Sequence, residues 1–212
     1  MNTSGPSPRI PQEDIDPQFT DRWSPRSFRP ASIRQEELLS ILEAARWAPS
    51  CYNDQPWIFC YAIQEEHRRA FLSALAEKNQ RWAAHAPALL FLAYRKNFAH
   101  NGKSNRWAAF DCGAAWMSLA LQARKRGLHA HAMAGFDADK AHTLLNLPKD
   151  RYEIIAAVAV GKRGSPEQLD DEFRDMEKPN QRQALDACAH EGAFSAAAAR
   201  AGMTPPAPGR DI

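Results

Sequence analysis

The chain has 212 residues, of which 44% are hydrophobic and 25% are charged, and its formal net charge is +2. This composition is ordinary for one globular domain with a substantial core. The near balance of charge argues against a polyanionic partner such as nucleic acid, and no apolar run approaches the length of a membrane span. The four cysteines form no CxxC pair, so no zinc site is expected.

The two ends of the chain differ in composition from the middle. Residues 1–18 are polar and rich in proline, and alanine, proline and glycine dominate residues 195–212. We expect both ends to be flexible tails. Because residues 1–18 lack the apolar core of a secretory signal, we also expect a cytoplasmic protein with free thiols.

The first candidate site is a short basic segment at residues 22–26. Arg22, Ser24 and Arg26 occupy every second position, so an extended backbone would place their side chains on one side. Guanidinium forks match phosphate oxygens, and a serine hydroxyl adds a further donor. Two solvated surface arginines would give the same pattern, and on these residues alone both interpretations stay open.

A helix is predicted over residues 32–48, directly after the basic segment. Ser32 would begin it, with Gln35 and Glu36 placed for a capping box. It must end before Pro49, which cannot continue a helix. Apolar residues recur along it at helical spacing and indicate one buried face: they are Leu38, Ile41, Leu42 and Ala45.

The second candidate site is the loop at residues 48–57, with the sequence APSCYNDQPW. Its two prolines stiffen the ends of the loop. Between them, Ser50, Asn53 and Gln55 can donate and accept hydrogen bonds. A loop of this kind between two rigid elements suits a planar heteroaromatic ligand with polar edges. An ordinary helix-to-strand connection is the alternative.

The rest of the chain alternates between strand and helix patterns. Aromatic and β-branched runs predict strands at residues 57–63, 88–94, 128–133 and 153–160. Helical spacing predicts helices at residues 65–78, 107–126 and 137–145, with Asn79 ending the first of them. This order indicates an α+β domain built around a central sheet.

The helix predicted at residues 107–126 is apolar nearly all round. A helix without a polar face lies either in a core or between subunits, and the small residues 113–115 would let another helix approach closely. Both positions remain open, because core and interface helices look alike in sequence. The polar stretch before it, residues 95–106, is predicted to be a loop that forms part of a lid or a substrate rim.

Two histidines and a glycine stand out around the third predicted strand. His129 and His131 share one face, which raises the possibility of a metal pair, but no third ligand with suitable spacing lies nearby and the metal interpretation is rejected. Gly135 follows the strand and would let the backbone approach a flat ligand closely.

The basic segment and the proline loop together resemble the FMN-dependent nitroreductase family. Members of that family open with an Arg-x-Ser-x-Arg/Lys segment, a helix and an Ala-Pro-Ser-x-x-Asn-x-Gln-Pro-Trp loop, and this chain has the same order and spacing. The resemblance covers residues 19–194. It implies a nitroreductase-like α+β fold, in which helices wrap a mostly antiparallel sheet, and a two-fold homodimer with two FMN sites at its interface. Residues 111–115 resemble the family's interface helix.

The resemblance also implies roles for individual residues. Arg22, Ser24, Arg26 and Arg182 would hold the phosphate and ribityl end. The ribityl chain and the edge of the ring would be held by Ser50, Asn53 and Asn79, and Gly135 would bring the backbone to the reactive face of the flavin. The full set of implied FMN contacts is Arg22, Trp23, Ser24, Arg26, Pro49, Ser50, Cys51, Asn53, Asn79, Ala134, Gly135, Asn180 and Arg182. Two of these depart from the family, because Ala134 replaces a usual glutamate and Asn180 replaces a second basic residue.

The function implied by the resemblance is ping-pong hydride transfer from NADH or NADPH, through FMN, to a small flat electron-poor acceptor such as a nitroaromatic or a quinone. The flavin carries the chemistry, so no catalytic side chain and no metal are expected. One alternative keeps the flavin but oxidises a peptide or an amino-acid derivative. The other is a non-enzymatic basic module that binds nucleic acid, which the net charge of +2 disfavours.

Overall fold

The computed structural model describes residues 9–194. They divide into two compact units, of which the larger is Arg22–Lys178 and the smaller contains the described residues before Arg22 and after Lys178. The tail predicted at residues 195–212 and the first eight residues of the tail predicted at 1–18 lie outside the described residues. The fold described below is that of the larger unit.

A four-stranded sheet forms its centre. The strands are β1 (Trp57–Ala62), β2 (Ala88–Arg95), β3 (His129–Met133) and β4 (Tyr152–Gly161), in the order β1-β2-β4-β3. Every neighbouring pair is antiparallel. The expectation of an α+β domain with a mostly antiparallel sheet is therefore confirmed, and β1 and β3 form the two edges.

Helices surround this sheet. They are α1 (Gln18–Asp21, in the smaller unit), α2 (Gln35–Arg46), α3 (Glu65–Ser73), α4 (Glu77–Ala83), α5 (Ala108–Lys125), α6 (Ala138–Leu145) and α7 (Asp171–Arg174). Short 3-10 turns occur at Cys51–Asn53, Pro166–Gln168 and Leu185–Ala187. Within residues 9–194, no helix combines the length and apolar character needed to cross a membrane.

The sheet separates two hydrophobic cores. Along β2, Phe91 belongs to the core that includes Phe71 and Trp82, whereas Leu90 belongs to the core that includes Ile41 and Leu119. Helices α3, α4 and α6 thus cover one face, and α2 and α5 cover the other. Burial on both faces explains why β2 is a continuous apolar run rather than an alternating one.

The prediction of a single helix over residues 65–78 was wrong. The chain breaks between α3 and α4, where the Ala76 N–H donates to the Gly135 carbonyl at 3.0 Å and the Asp137 N–H donates to the Ala74 carbonyl at 2.8 Å. These tertiary bonds replace helical ones at the break. Asn79 therefore does not end a helix but lies in the first turn of α4.

The start of α2 also differs from the prediction. Arg34, rather than Ser32, is its N-cap, and Glu37 completes the capping box. Glu37 Oε2 accepts from the Arg34 N–H at 3.1 Å, which satisfies a main-chain donor at the beginning of the helix. The last residue of α2 is Arg46, two positions before the predicted end.

Candidate functional site

The segment before α2 is extended and has two different sides. Trp23 and Pro25 are buried, whereas Arg22, Ser24 and Arg26 alternate with them and are half-buried. An Arg22 Nη1 donates to Ser24 Oγ at 3.3 Å, so these two side chains lie together. The expected alternation is confirmed, and it gathers two guanidinium groups and a hydroxyl on one side of the segment.

Strand β3 supports the buried side of the segment. His131 Nδ1 donates to the Pro25 carbonyl at 2.8 Å. The Trp23 ring packs edge-on against the His129 ring, with their centroids 6.0 Å apart, and the Arg163 guanidinium lies 5.0 Å from the Trp23 ring centroid. The two histidines thus support the basic segment, and no group of three or more metal-ligating side chains occurs within residues 9–194.

A buried carboxylate holds the same segment by its main chain. Glu177 Oε2 accepts from the Arg26 N–H at 2.7 Å, and Glu177 Oε1 accepts from the Ser27 N–H at 3.2 Å. The Arg163 guanidinium lies 3.9 Å from the Glu177 carboxylate, whose side chain has no exposed surface. The sequence did not single out Glu177, because it lies in a charged stretch of ordinary composition.

The histidines behind the segment are neutral near pH 7. Burial, and to a smaller extent nearby arginines, lower the pKa of both His129 and His131 to about 4, and Arg22 acts on both rings. The positive charge of this region is therefore carried by arginines, and an additional cation is disfavoured there. A phosphate group is the kind of ligand that such a field stabilises.

The loop between α2 and β1 has a strained backbone. Tyr52, Asn53 and Gln55 have φ angles of 53°, 54° and 48°, in the left-handed region that residues other than glycine rarely adopt. Ser50 Oγ closes the loop by accepting from the Gln55 N–H at 3.0 Å. The Tyr52 and Asn53 side chains are exposed. Strain of this kind is concentrated at functional sites.

The carboxylate of Asp111 attaches this loop to α5. It accepts from the Cys51 N–H at 3.2 Å. Burial, and to a smaller extent the charge of Asp54, raise the pKa of Asp111. The loop is thus fixed by its main chain, while Pro49 and Asn53 remain at the surface.

Asp54 joins the loop to the stretch after β2. Its carboxylate accepts from Arg95 Nη2 at 2.9 Å, from the Ala99 N–H at 2.8 Å and from Asn105 Nδ2 at 3.3 Å. The Asp54 side chain is only 1% exposed, so these bonds compensate for the loss of its hydration. The structure therefore couples the loop to residues 95–106, and Asp54 is a second buried carboxylate that sequence reasoning missed.

Asn79 and Gly135 meet at the break between α3 and α4. Asn79 Nδ2 donates to the Gly135 carbonyl at 2.9 Å. A Cβ atom added at Gly135 would lie 2.6 Å from that nitrogen, so the amide itself requires glycine here. Ala134 is exposed beside them. The structure brings these three residues together, although Asn79 reaches the site from a helix start rather than from a helix end.

Replacing Gly135 with alanine should lower the free energy of unfolding by about 1 kcal/mol, because the new methyl group would displace the Asn79 amide and break its hydrogen bond. Urea unfolding measures this loss. The same substitution in an Asn79→Ala background should cost less, since the clashing amide is then absent. Equal costs in the two backgrounds would contradict the assigned contact.

The supporting elements lie at two different edges of the sheet. The basic segment and Gly135 are beside β3, whereas the strained loop leads into β1. Three inter-strand steps, about 14 Å, separate these edge strands. Asn180 and Arg182 belong to the smaller unit, where Arg182 Nη1 donates to the carbonyls of Asn180 at 3.4 Å and Gln181 at 3.2 Å.

Comparison with known proteins gives matches in both sequence and fold. The model of the Nitroreductase family matches residues 19–81 and 62–162. A Streptomyces coelicolor protein that carries the name NADH dehydrogenase/NAD(P)H nitroreductase is 38% identical over 189 residues, which cover 80% of this chain and 93% of that protein.

Two further matches concern an enzyme and a solved structure. The enone reductase of CLA biosynthesis from Lactiplantibacillus plantarum is 26% identical over 178 residues, which cover 67% of this chain and 82% of that protein. A crystal structure described as an oxidoreductase containing FMN is 40% identical and has a TM-score of 0.86. That match covers 91% of this chain and 99% of the other chain.

Proposed function

Because the chain belongs to the nitroreductase family, we propose that it is an FMN-dependent oxidoreductase that oxidises NADH or NADPH and reduces a small, flat, electron-poor acceptor. The single observation that carries the proposal is the pairing of an arginine-rich extended segment with a strained polar loop in one folded unit. The bound flavin would accept hydride from the nicotinamide and deliver it to the acceptor. The chain's own residues bind and orient the reactants.

The phosphate end of the flavin is assigned to the basic segment. Arg22, Ser24 and Arg26 share one side of an extended backbone, and two guanidinium groups with a hydroxyl are a donor set suited to a phosphate dianion. Arg182 is assigned to the same group from its sequence motif alone. The donors present therefore fit FMN.

The ring end is assigned to the strained loop and to the Asn79–Gly135 contact. Ser50, Cys51 and Asn53 would bind the polar edge of the ring, and their geometry is fixed by Asp54 and Asp111 rather than by the ligand. Binding then costs little ordering of the protein. With Ala134 in place of a glutamate, the pocket carries one negative charge fewer, which favours acceptors that are anionic or rich in electron-withdrawing groups.

We further propose a two-fold homodimer that shares its flavin sites. On α5, Phe110 is 75% exposed, and Trp107, which directly precedes the helix, is 46% exposed. Gly113 faces open space in a single chain. Large exposed apolar groups on an otherwise apolar helix are typical of a subunit interface. Since the basic segment and the strained loop lie at opposite edges of one sheet, each site would use the segment of one chain and the loop of its partner.

The acceptor side is assigned to the loop that Asp54 holds. Tyr52, Phe98 and His100 form a cluster with ring centroids 5.2 to 5.9 Å apart, and Tyr52 is 82% exposed. Exposed aromatic rings stack on planar molecules. Nitroaromatics and quinones are therefore the proposed acceptor class, and a conjugated enone belongs in the same test because one relative carries that name.

The function is tested by the absorption spectrum of the purified protein before and after addition of NADH or NADPH. We expect a flavin spectrum that bleaches with reduced nicotinamide and returns with nitrobenzene, a benzoquinone or an enone. A protein that retains no flavin after incubation with FMN and desalting would refute the proposal. Bleaching by a peptide but not by nicotinamide would favour the amino-acid oxidase alternative instead.

Replacing Arg22 with alanine should weaken FMN binding about tenfold or more, and Arg182→Ala should do the same. Each removes a charge-assisted bond to phosphate, worth roughly 1.5–3 kcal/mol. Flavin fluorescence during titration of flavin-free protein gives the dissociation constant. Arg29→Ala is the matched control, since Arg29 is exposed and follows the same segment. If Arg22→Ala binds FMN like the parent, the phosphate assignment is incorrect.

A further inference from the structure

The main chain of the basic segment is held by two side chains from outside it, the buried Glu177 and the half-buried His131. On one side, the Glu177 carboxylate accepts from two successive N–H groups, those of Arg26 at 2.7 Å and Ser27 at 3.2 Å. On the other, His131 Nδ1 donates to the Pro25 carbonyl at 2.8 Å. Two adjacent peptide groups, the one that joins Pro25 to Arg26 and the one that joins Arg26 to Ser27, are thus fixed by two side chains from distant parts of the sequence.

A fully buried carboxylate is costly unless its oxygens are satisfied. Glu177 has no exposed side-chain surface, and the bonds that compensate for its burial go to the main chain of the basic segment. The next residues are also fixed, since Ser27 Oγ donates to the Ser165 carbonyl at 2.6 Å and the Arg29 N–H donates to the Lys162 carbonyl at 2.9 Å. The backbone of the basic segment is therefore held rigidly at the residues whose side chains are the proposed phosphate donors.

His131 is itself immobilised. Its ring lies against the Trp82 ring, with centroids 4.6 Å apart, and its Nδ1 must carry the proton because a carbonyl only accepts. The ring can hold this single tautomer as long as it stays neutral. Its bond to Pro25 falls between Ser24 and Arg26, whose side chains are half-buried.

We propose that Glu177 and His131 are positioning residues that preorganise the arginine segment for the phosphate group of FMN. This inference rests on the proposed function, in which Arg22, Ser24 and Arg26 bind that phosphate. Neither residue would touch the flavin. Each would act by fixing the backbone from which the phosphate donors extend, so that little ordering is left to be done on binding.

The test compares two ligands that differ only in the phosphate. Flavin-free, full-length protein is titrated with FMN and with riboflavin, and the ratio of the two dissociation constants is the readout. Glu177→Gln keeps one acceptor oxygen but places an amide opposite an N–H group, and it should reduce the preference for FMN about tenfold. Riboflavin affinity should change less than twofold. A general loss of structure would lower both affinities together.

His131 provides the second pair of variants. His131→Ala removes the donor to Pro25 and should also reduce the preference for FMN, whereas His131→Asn keeps an N–H group at the same distance from the backbone and should restore it. The proposal is overturned if Glu177→Gln and His131→Ala both leave the ratio unchanged, or if they weaken both ligands equally.

The same measurements distinguish an incorrect phosphate site from an incorrect positioning role. In that case the parent protein would itself bind FMN and riboflavin equally well, or Arg22→Ala would leave the ratio unchanged, and the positioning role would fall with it. If instead Arg22→Ala abolishes the preference while Glu177→Gln and His131→Ala retain it, the phosphate site stands and the positioning role alone is wrong.

Discussion

Replacing Phe110 with arginine should give a protein that is monomeric and free of flavin. Phe110 is 75% exposed on α5 of a single chain, so the substitution does not disturb the chain's own core. Burying a phenylalanine contributes roughly 1.5–3 kcal/mol. Because the dimer contains two copies of the chain, the substitution would remove two phenylalanines from the interface and place two cations there. The dimer should therefore weaken by at least about a hundredfold. Sedimentation and absorbance at low micromolar concentration measure both effects.

The matched control is Leu144→Arg on α6, where the replaced side chain is also partly exposed. It should stay dimeric and yellow. Ala114→Arg, at a half-buried position of α5, should behave like Phe110→Arg. A parent protein that sediments as a flavin-loaded monomer would contradict both the interface and the shared site.

The substitution Gly113→Ala gives an independent check of the same interface, because it should change the stability of a monomer and of a dimer in opposite directions. In a single chain, a Cβ at Gly113 would meet nothing within 4 Å, and alanine is favoured over glycine inside a helix by about 0.5–1 kcal/mol. Gly113→Ala should therefore stabilise a monomer. If a partner helix packs closely against this position, the same substitution should weaken the dimer.

The regular elements could be predicted from the sequence because their patterns are local. The even spacing of Arg22, Ser24 and Arg26 predicted one polar side of an extended segment, and the structure has it. The apolar run at residues 88–94 predicted a strand, and β2 lies there with a core on each face. In these cases the pattern is itself the physical cause of the structure.

The contacts that position the candidate site could not be predicted, because they join residues far apart in the sequence. The sequence does not show whether a given aspartate or glutamate is buried. Glu177 and Asp54 could therefore not be distinguished from the charged surface residues near them in the sequence. The break between α3 and α4 was missed for the same reason, since hydrogen bonds to the Gly135 turn produce it. Local propensity favours one continuous helix there.

The three left-handed residues of the proline loop illustrate how such contacts matter. Neither Tyr52 nor Gln55 favours this conformation by itself. The loop contains no glycine, the residue that would have predicted a left-handed conformation from the sequence. The conformation persists because Ser50, Asp54 and Asp111 bond the loop from several directions. The resemblance to a family identified the loop as a site, but its shape follows from these tertiary bonds.

Acidification from pH 7 to pH 4 should destabilise the flavin-free protein by about 3 kcal/mol for each of His129 and His131. In the folded chain their pKa values are lowered to about 4 from an ordinary value of 6.5. Below pH 6.5 the unfolded chain therefore binds protons that the folded chain does not. Stability is fully present above pH 6.5 and is lost as the pH falls towards 4.

Urea unfolding at several pH values between 7 and 4.5, at one protein concentration, measures this loss. Carboxylates with lowered pKa values, such as Glu37 and Asp139, lose their contribution to the free energy of unfolding mainly below pH 4.5. Most of the stability lost between pH 6.5 and pH 4.5 is therefore due to the histidines. His131→Asn keeps the bond to Pro25 but cannot titrate, and it should reduce the slope by up to about 1.4 kcal/mol per pH unit. Equal slopes for the parent and His131→Asn would show that the pKa of His131 is the same in the folded and unfolded chains, which burial of the ring and its arginine neighbours oppose.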